Sequence, residues 1–214
     1  MLTCADCQKK ACKTNSIEGA PKNCPMRTHA PLYETITAQY LSPDTANFYQ
    51  NSCRMEAQGY GQWSRVRETL EFCKAMAYTH VGVAFCAGLQ EEAQIFCRLL
   101  REHGFQVSSV CCKNGAIPKE DMGLTDAEKV RPGRHESACN PIAQAMLVNE
   151  ANTQFNILIG LCVGHDSLFM QHAQAPCTVL VAKDRVLAHN PCGALYQSHS
   201  YYKNAFGTPV EKPL

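Results

Sequence analysis

Between residues 80 and 184 the chain alternates short apolar runs with longer stretches of helical period. HVGVAF (80–85), FQVSSVC (105–111), the apolar start of FNILIGLCVGHDSLF (155–169) and PCTVLVAKD (176–184) each read as a strand. Such runs are too short for buried helices, and continuous apolar character marks strands covered on both faces. Between them, GLQEEAQIFCRLLREHG reads as a helix stopped by Gly104, and PIAQAMLVNEAN as a helix with Pro141 at its first position. A third helix follows from Asp166 to Ala173. Strand–helix–strand repeats make parallel strands through right-handed crossovers. The expected fold class is α/β: a three-layer parallel sheet of about four strands with flanking helices, preceded by a small metal knuckle and a helical segment.

Residues 31–78 read as helical. The pieces are TITAQYL, then DTANFYQNSCRMEA behind Asp44 as a cap, then QWSRVRETLEFCKAMAY, in which Trp63, Val66, Leu70, Cys73 and Ala77 share one face. Cys53, Cys73 and Cys97 are expected to be small core residues. The stretch 113–137 is too long and polar for a simple connection and is expected to be a loop over a site. The domain reading is a knuckle at 1–30 and a single α/β domain at 31–214, with a helical lead-in (31–78), a sheet core (79–184) and a tail (185–214).

Composition narrows the function. A hydrophobic fraction of 45%, a charged fraction of 18% and a net charge of +1 are those of an ordinary globule, with no electrostatic case for nucleic acid or an anionic membrane. No apolar run approaches the roughly 20 residues needed to cross a bilayer. The opening MLTCADCQKKACK lacks the charged-then-apolar pattern of a leader, so the expectation is a cytoplasmic protein. Fourteen cysteines in a reducing compartment point to metal binding or catalysis instead of disulfides.

Two constellations follow. Cys4, Cys7, Cys12 and Cys24 are spaced C-x2-C-x4-C-x11-C on a polar segment with almost nothing apolar to bury, so a metal would supply its folding energy. Iron–sulfur and zinc both remain open there. The second set is Cys86, Cys111 or Cys112, Cys139 and Cys162, which stand at three strand ends and one helix start. Parallel topology brings them to the carboxyl edge of the sheet, where open α/β sheets bind ligands, whereas Cys177 starts its strand and faces the other edge. Helix N-termini nearby favour an anionic centre, so a 4Fe-4S cluster is expected at this edge. His165 and Asp166 follow in the turn after the third strand and are candidates for catalytic or outer-sphere roles.

CADCQKKAC with NCP, GVAFCAGLQEEA, VCCKNGAIPKE, RPGRHESACNPIAQAMLVNEA, GLCVGHDSLF and APCTVLVAKDRVLAHNP together resemble a family of cysteine-rich, predicted metal-binding proteins of bacteria and archaea. The resemblance spans nearly the whole chain. It implies Cys4, Cys7, Cys12 and Cys24 as one ligand set and Cys86, Cys112, Cys139 and Cys162 as the other. Cys111 stands where an aliphatic residue is usual in that family.

The leading expectation is an iron–sulfur oxidoreductase or sulfur-transfer protein with a small-molecule substrate or an electron-transfer partner. A non-catalytic carrier or sensor of zinc or another metal is the alternative, since thiolates can store or deliver a metal without turnover. A weaker alternative is a cysteine hydrolase, with Gly160-Leu161-Cys162-Val163-Gly164 as nucleophile elbow and Asp184 and His189 as partners. No strand is followed by G-x-G-x-x-G, which argues against dinucleotide binding.

Overall fold

The computed structural model describes residues 1–14, 16–204 and 206. The chain divides into two compact units, Met1–Gly61 and Gln62–Leu214.

In the first unit, short 3-10 turns at Cys4–Asp6 and Ala11–Lys13 lead into helices α1 (Pro25–Thr28), α2 (Ala30–Tyr40) and α3 (Pro43–Gly59). Each helix carries a proline in its first two positions, where the missing N–H has no intrahelical partner to lose. Pro43 moves the start of α3 back, so Ser42 and not Asp44 is the N-cap; Asp44 sits in the first turn, where its charge suits the helix dipole. Tyr40 and Tyr49 bring α2 and α3 together, with ring centroids 4.5 Å apart. The buried face of α3 is Asn51, Met55 and Gly59, one residue per turn. Cys53 falls on the opposite face and is exposed, which corrects its expected place in a core.

The second unit opens with α4 (Arg65–Ala75), capped by Ser64, whose Oγ accepts from the Arg67 N–H. It buries Leu70, Phe72 and Cys73. The helix ends before Ala77, which adopts φ 55° and is exposed, so the expected apolar face is shorter than its period suggested. There follow β1 (His80–Phe85), α5 (Gln90–Glu102), β2 (Gln106–Cys111), α6 (Pro141–Glu150), β3 (Phe155–Ile159), α7 (His165–His172), β4 (Cys177–Val181) and α8 (Cys192–Tyr196). All strand pairs are parallel, in the order β2-β1-β3-β4.

This order gives the molecule its crevice. The connection from β1 to β2 travels one way along the sheet, and the later ones travel the other way. Right-handed crossovers then place α5 on one face with α4, and α6 and α7 on the other. The direction reverses between β1 and β3, and such a switch point leaves a gap at the carboxyl ends of the two strands. Every residue of β3 and the inner four of β1 are buried, as expected for central strands covered on both sides. Phe155 packs on Phe72 and Tyr78 with centroids 5.5 and 5.7 Å away, closing the amino end of the sheet.

One polar device sits in this core. The Asn156 side chain lies opposite Gly82 in the β1–β3 register, and its Oδ1 accepts from the Thr153 hydroxyl at 2.8 Å. Gly82 is required there, because a Cβ would come within 2.1 Å of that oxygen.

Candidate functional site

At the carboxyl edge, chain continuation past each strand delivers a cysteine. The Cys86 N–H donates to Ile159 O at 3.0 Å, carrying the β1–β3 pairing one residue past β1. The Cys112 N–H donates to Phe85 O at 2.8 Å and does the same for β2. Phe85 and Cys111 are in register, so Cys111 and Cys112 point to different sides. Cys112 is the buried one that meets Cys86, whereas Cys111 is half-buried. The Asn140 N–H donates to Cys112 O at 2.8 Å, which draws Cys139 alongside, and the Asn140 side chain then caps α6 through the Ala143 N–H. Gly160, at φ 61°, turns the chain out of β3 towards Cys162, whose carbonyl accepts the first N–H groups of α7.

Cys86, Cys112 and Cys139 form a hydrogen-bonded row with Cys112 in the middle. The Cys112 thiol holds Cys86 down at about 4, helped by the Lys183 ammonium and the Gly88 backbone and opposed by burial. Cys139 is held down at about 5, first by Cys112 and then by the charges of Lys113 and His165. Cys112 is pushed up by its two sulfur neighbours and by burial, with the Ala87 N–H opposing. The row thus favours charge on the two outer sulfurs and a proton on the middle one. Cys162 joins through Arg185, whose Nη2 donates to its Sγ at 3.1 Å and whose guanidinium also feels the charges of Cys86 and Cys139. Lys183 Nζ donates to Cys86 Sγ at 2.9 Å.

Lys183 and Arg185 escaped the sequence reading. They alternate just past β4, and the topological rule that gathers the cysteines also sends that strand's carboxyl end to the same edge. A tight turn fixes them: Asp184 Oδ1 accepts from the Val186 and Leu187 N–H groups, and Ala188 and His189 adopt φ 49° and 61°. Non-glycine residues in that region are strained, and such strain collects at functional sites.

Gln144 ties α6 to this edge. Its Nε2 donates to Phe85 O and Val110 O at 3.2 and 2.7 Å, while its buried Oε1 has no partner among the described residues. Residues 113–137 form an excursion flanked by Cys112 and Cys139, closed by the Pro118–Ser137 bridge and the Ala138 N–H to Ile117 O bond. Its middle is built on Lys129, buried and paired with Asp126 at 2.7 Å and with Glu120.

His165 lies close enough to Cys139 for its charge to act there. The Asp166 carboxylate instead holds the turn, its Oδ1 accepting from the Gly164 and Ser167 N–H groups at 3.0 and 2.8 Å. The residues of the hydrolase alternative are engaged with other partners. Cys162 meets Arg185, His189 Nδ1 accepts from the Asp184 N–H, and the Asp184 Oδ1 is engaged by backbone.

In the first unit, Cys4, Cys7, Cys12 and Cys24 line a single cavity of about 350 Å³. Among the described residues, no group of three or more His, Cys, Asp or Glu side chains is set to hold a metal ion. No described helix is long and apolar enough to cross a membrane.

Residues 24–180 match the family described as protein of unknown function DUF1847, and the chain belongs to that family. Cys86, Cys112, Cys139 and Cys162 fall inside the matched region, while Cys4, Cys7 and Cys12 precede it. The chain is also 39% identical, over 92% of its length and 95% of the relative's, to the uncharacterized protein MJ0455 of Methanocaldococcus jannaschii.

Proposed function

We propose that Cys86, Cys112, Cys139 and Cys162 hold an iron–sulfur cluster at the carboxyl edge of the sheet, and that the protein performs redox or sulfur chemistry there with a small substrate or an electron-transfer partner. One observation carries the reading: sulfurs from separate strand ends and a helix start converge, and each is met by a cation or an N–H group. Soft thiolates suit iron–sulfur clusters and zinc. Four thiolates bring four negative charges, and Lys113, Lys183 and Arg185 offset three of them, so an anionic centre is compensated where it stands. Such a cluster, when bound, supplies one-electron transfer or an iron that polarises a ligand. The chain's own part is to fix the sulfur positions and to tune them. Lys183 and Arg185 pin two Sγ atoms from a strained turn, Gln144 braces two strand ends, and His165 is placed to move a proton beside Cys139.

A second reading rests on the thiol–thiolate row and on the lack, among the described residues, of a group set to hold a metal ion. In it the row works without metal, with Cys86 as the nucleophilic thiolate. Purification without oxygen separates the two. The cluster reading expects iron and acid-labile sulfide in equal amounts, lost from the sheet-edge site in Cys162→Ser. Metal-free protein in which Cys86 alkylates rapidly at acidic pH, unchanged by Cys162→Ser, would replace it with the thiol reading.

A further inference from the structure

We infer that the tip of the 113–137 excursion is a docking surface for an acidic face of a partner protein, with Arg131 and Arg134 as its paired anchors. The excursion turns its acids inward. Glu120 and Asp126 pair with the buried Lys129 ammonium, and Asp126 also accepts from the Gly133 N–H. Glu128 accepts from the Thr125 N–H and hydroxyl at 2.8 and 2.7 Å. Glu136 pairs with Lys119 at 2.6 Å and accepts from the Val130 and Arg131 N–H groups. The lysines are engaged too, Lys113 donating to Ser137 O. Arg131 and Arg134 are the exception: both are exposed, and neither guanidinium meets an acceptor among the described residues.

Local geometry sets these two arginines side by side. Arg131-Pro132-Gly133-Arg134 is the sequence of a type II turn, in which proline fixes φ at the second position and glycine supplies the positive φ of the third; Gly133 adopts 77°. Such a turn brings its first and fourth Cα atoms to within about 7 Å. It is braced from inside, by Asp126 on the Gly133 N–H at 2.9 Å, Glu136 on the Arg131 N–H at 3.3 Å and Lys129 Nζ on Arg134 O at 2.7 Å. Two like charges are thus held close together without a counter-ion. Their repulsion raises the energy of the free chain, and carboxylates placed on them relieve it. Planar guanidinium forks bind carboxylates bidentately, so the pair favours clustered Asp or Glu side chains. A protein face suits this tip better than a small anion. Val130 beside the pair is 81% exposed, and a small ion on a tip open to water is screened, whereas a partner's surface excludes the water. Arginines around an apolar side chain are also what interfaces use as anchors.

The inference deepens the sheet-edge reading by naming the chemistry of its protein partner, and it rests on that reading for a redox role; binding itself is measured without reference to a cluster. The full-length protein is titrated into a fluorescein-labelled polyglutamate peptide and followed by fluorescence anisotropy. Saturable binding is expected, weakening several-fold between about 25 and 200 mM salt as the Debye length shortens. Arg131→Ala with Arg134→Ala should weaken it at least about tenfold with the circular dichroism kept. Arg131→Lys with Arg134→Lys, which keeps the charge and loses the fork, should weaken it less. Arg98→Ala with Arg101→Ala removes the same charge from an exposed pair on α5 and should leave binding unchanged. Absence of binding, equal loss in the two alanine pairs, or displacement of the peptide by an equal concentration of inorganic phosphate would overturn the inference, the last by making the tip a small-anion site. Binding by a chain that holds no iron would sink only the reading of the sheet edge. An iron-loaded chain that fails to bind the peptide would sink only the docking surface.

Discussion

Cys4, Cys7, Cys12 and Cys24 reach one cavity along a short, turn-rich stretch of chain, whereas Cys86, Cys112, Cys139 and Cys162 meet only because a parallel sheet ends on one edge. Their surroundings differ as much as their assembly. At the sheet edge Cys86, Cys112 and Cys139 form a hydrogen-bonded row, and Lys183, Lys113 and Arg185 bring positive charge to Cys86, Cys139 and Cys162. In the first unit they stand round a space walled by Pro21, Met26 and Tyr33. Local spacing gathers four cysteines on one cavity, whereas the cations on Cys86 and Cys162 come from the turn after β4, far away in sequence.

The largest expected effect separates the two sites by loading. Cys162→Ser should take the iron and sulfide off the sheet edge of the anaerobically loaded chain, and Cys12→Ser should leave them there. Iron analysis in which Cys12→Ser empties the sheet edge would end the idea of two independent centres.

Next in size is packing. Gly82→Ala drives a Cβ to 2.1 Å from Asn156 Oδ1, and Gly160→Ala combines φ 61° with Leu89 methyls at 2.9 Å. Each should cost about 1–3 kcal/mol by overpacking, read as a lower denaturation midpoint. Gly160→Ala should also perturb the sheet-edge site, because it turns the chain towards Cys162. Gly19→Ala, at φ 70° with nothing within 4 Å, carries only the backbone penalty and should cost about 1 kcal/mol. Equal losses at Gly19 and Gly82 would mean that the first unit is as tightly packed as the sheet.

A smaller effect is pH dependence in metal-free protein. Cys86 and Cys139 are held at about 4 and about 5, against about 8.5 for a free cysteine. Between these values the folded chain binds fewer protons than the unfolded one, so this contribution to stability grows as pH rises and is lost as pH falls. Cys112 is held up, so above about pH 8.5 the folded chain keeps a proton that the unfolded chain releases, and stability falls again. Denaturation across pH 5 to 10 should show that rise and fall, and a flat curve would remove the thiolate row. Lys183→Met should move the alkylation of Cys86 to higher pH, since its ammonium helps hold the thiolate. An unshifted profile would leave Cys112 alone responsible.

The smallest effect tests the cysteines outside both sites. Cys53→Ser, on the exposed face of α3, should change stability by less than about 0.5 kcal/mol. Cys97→Ser places a hydroxyl at a buried position of α5 and should cost about 1–3 kcal/mol. Iron content should stay the same in both, and a loss in either would add that residue to a site.

How much was legible varied with the range of the interaction that decides each feature. Strand and helix identity, the parallel sheet and the carboxyl edge followed from apolar runs, Gly104 and Pro141, because hydrophobic burial and terminal signals act within a few residues. The four-cysteine spacing at 4–24 was visible for the same reason. Where one element's limits hinge on its neighbours, pattern alone misplaced them: the cap of α3 moved to Ser42, and the face of α4 stopped short of Ala77. Cys53 shows how a residue type that is usually buried is turned outward by one helix's phase.

What tertiary structure alone decided is which side chains share a charge environment. The order β2-β1-β3-β4 set the switch point between β1 and β3, the extra β2 hydrogen bond made Cys112 and not Cys111 the neighbour of Cys86, and the strained turn after β4 set Lys183 and Arg185 on Cys86 and Cys162. The sequence determined that cysteines stand at strand ends. It did not determine their protonation or their partners, because electrostatic interactions depend on distances across the fold, and those exist only once the strands have paired.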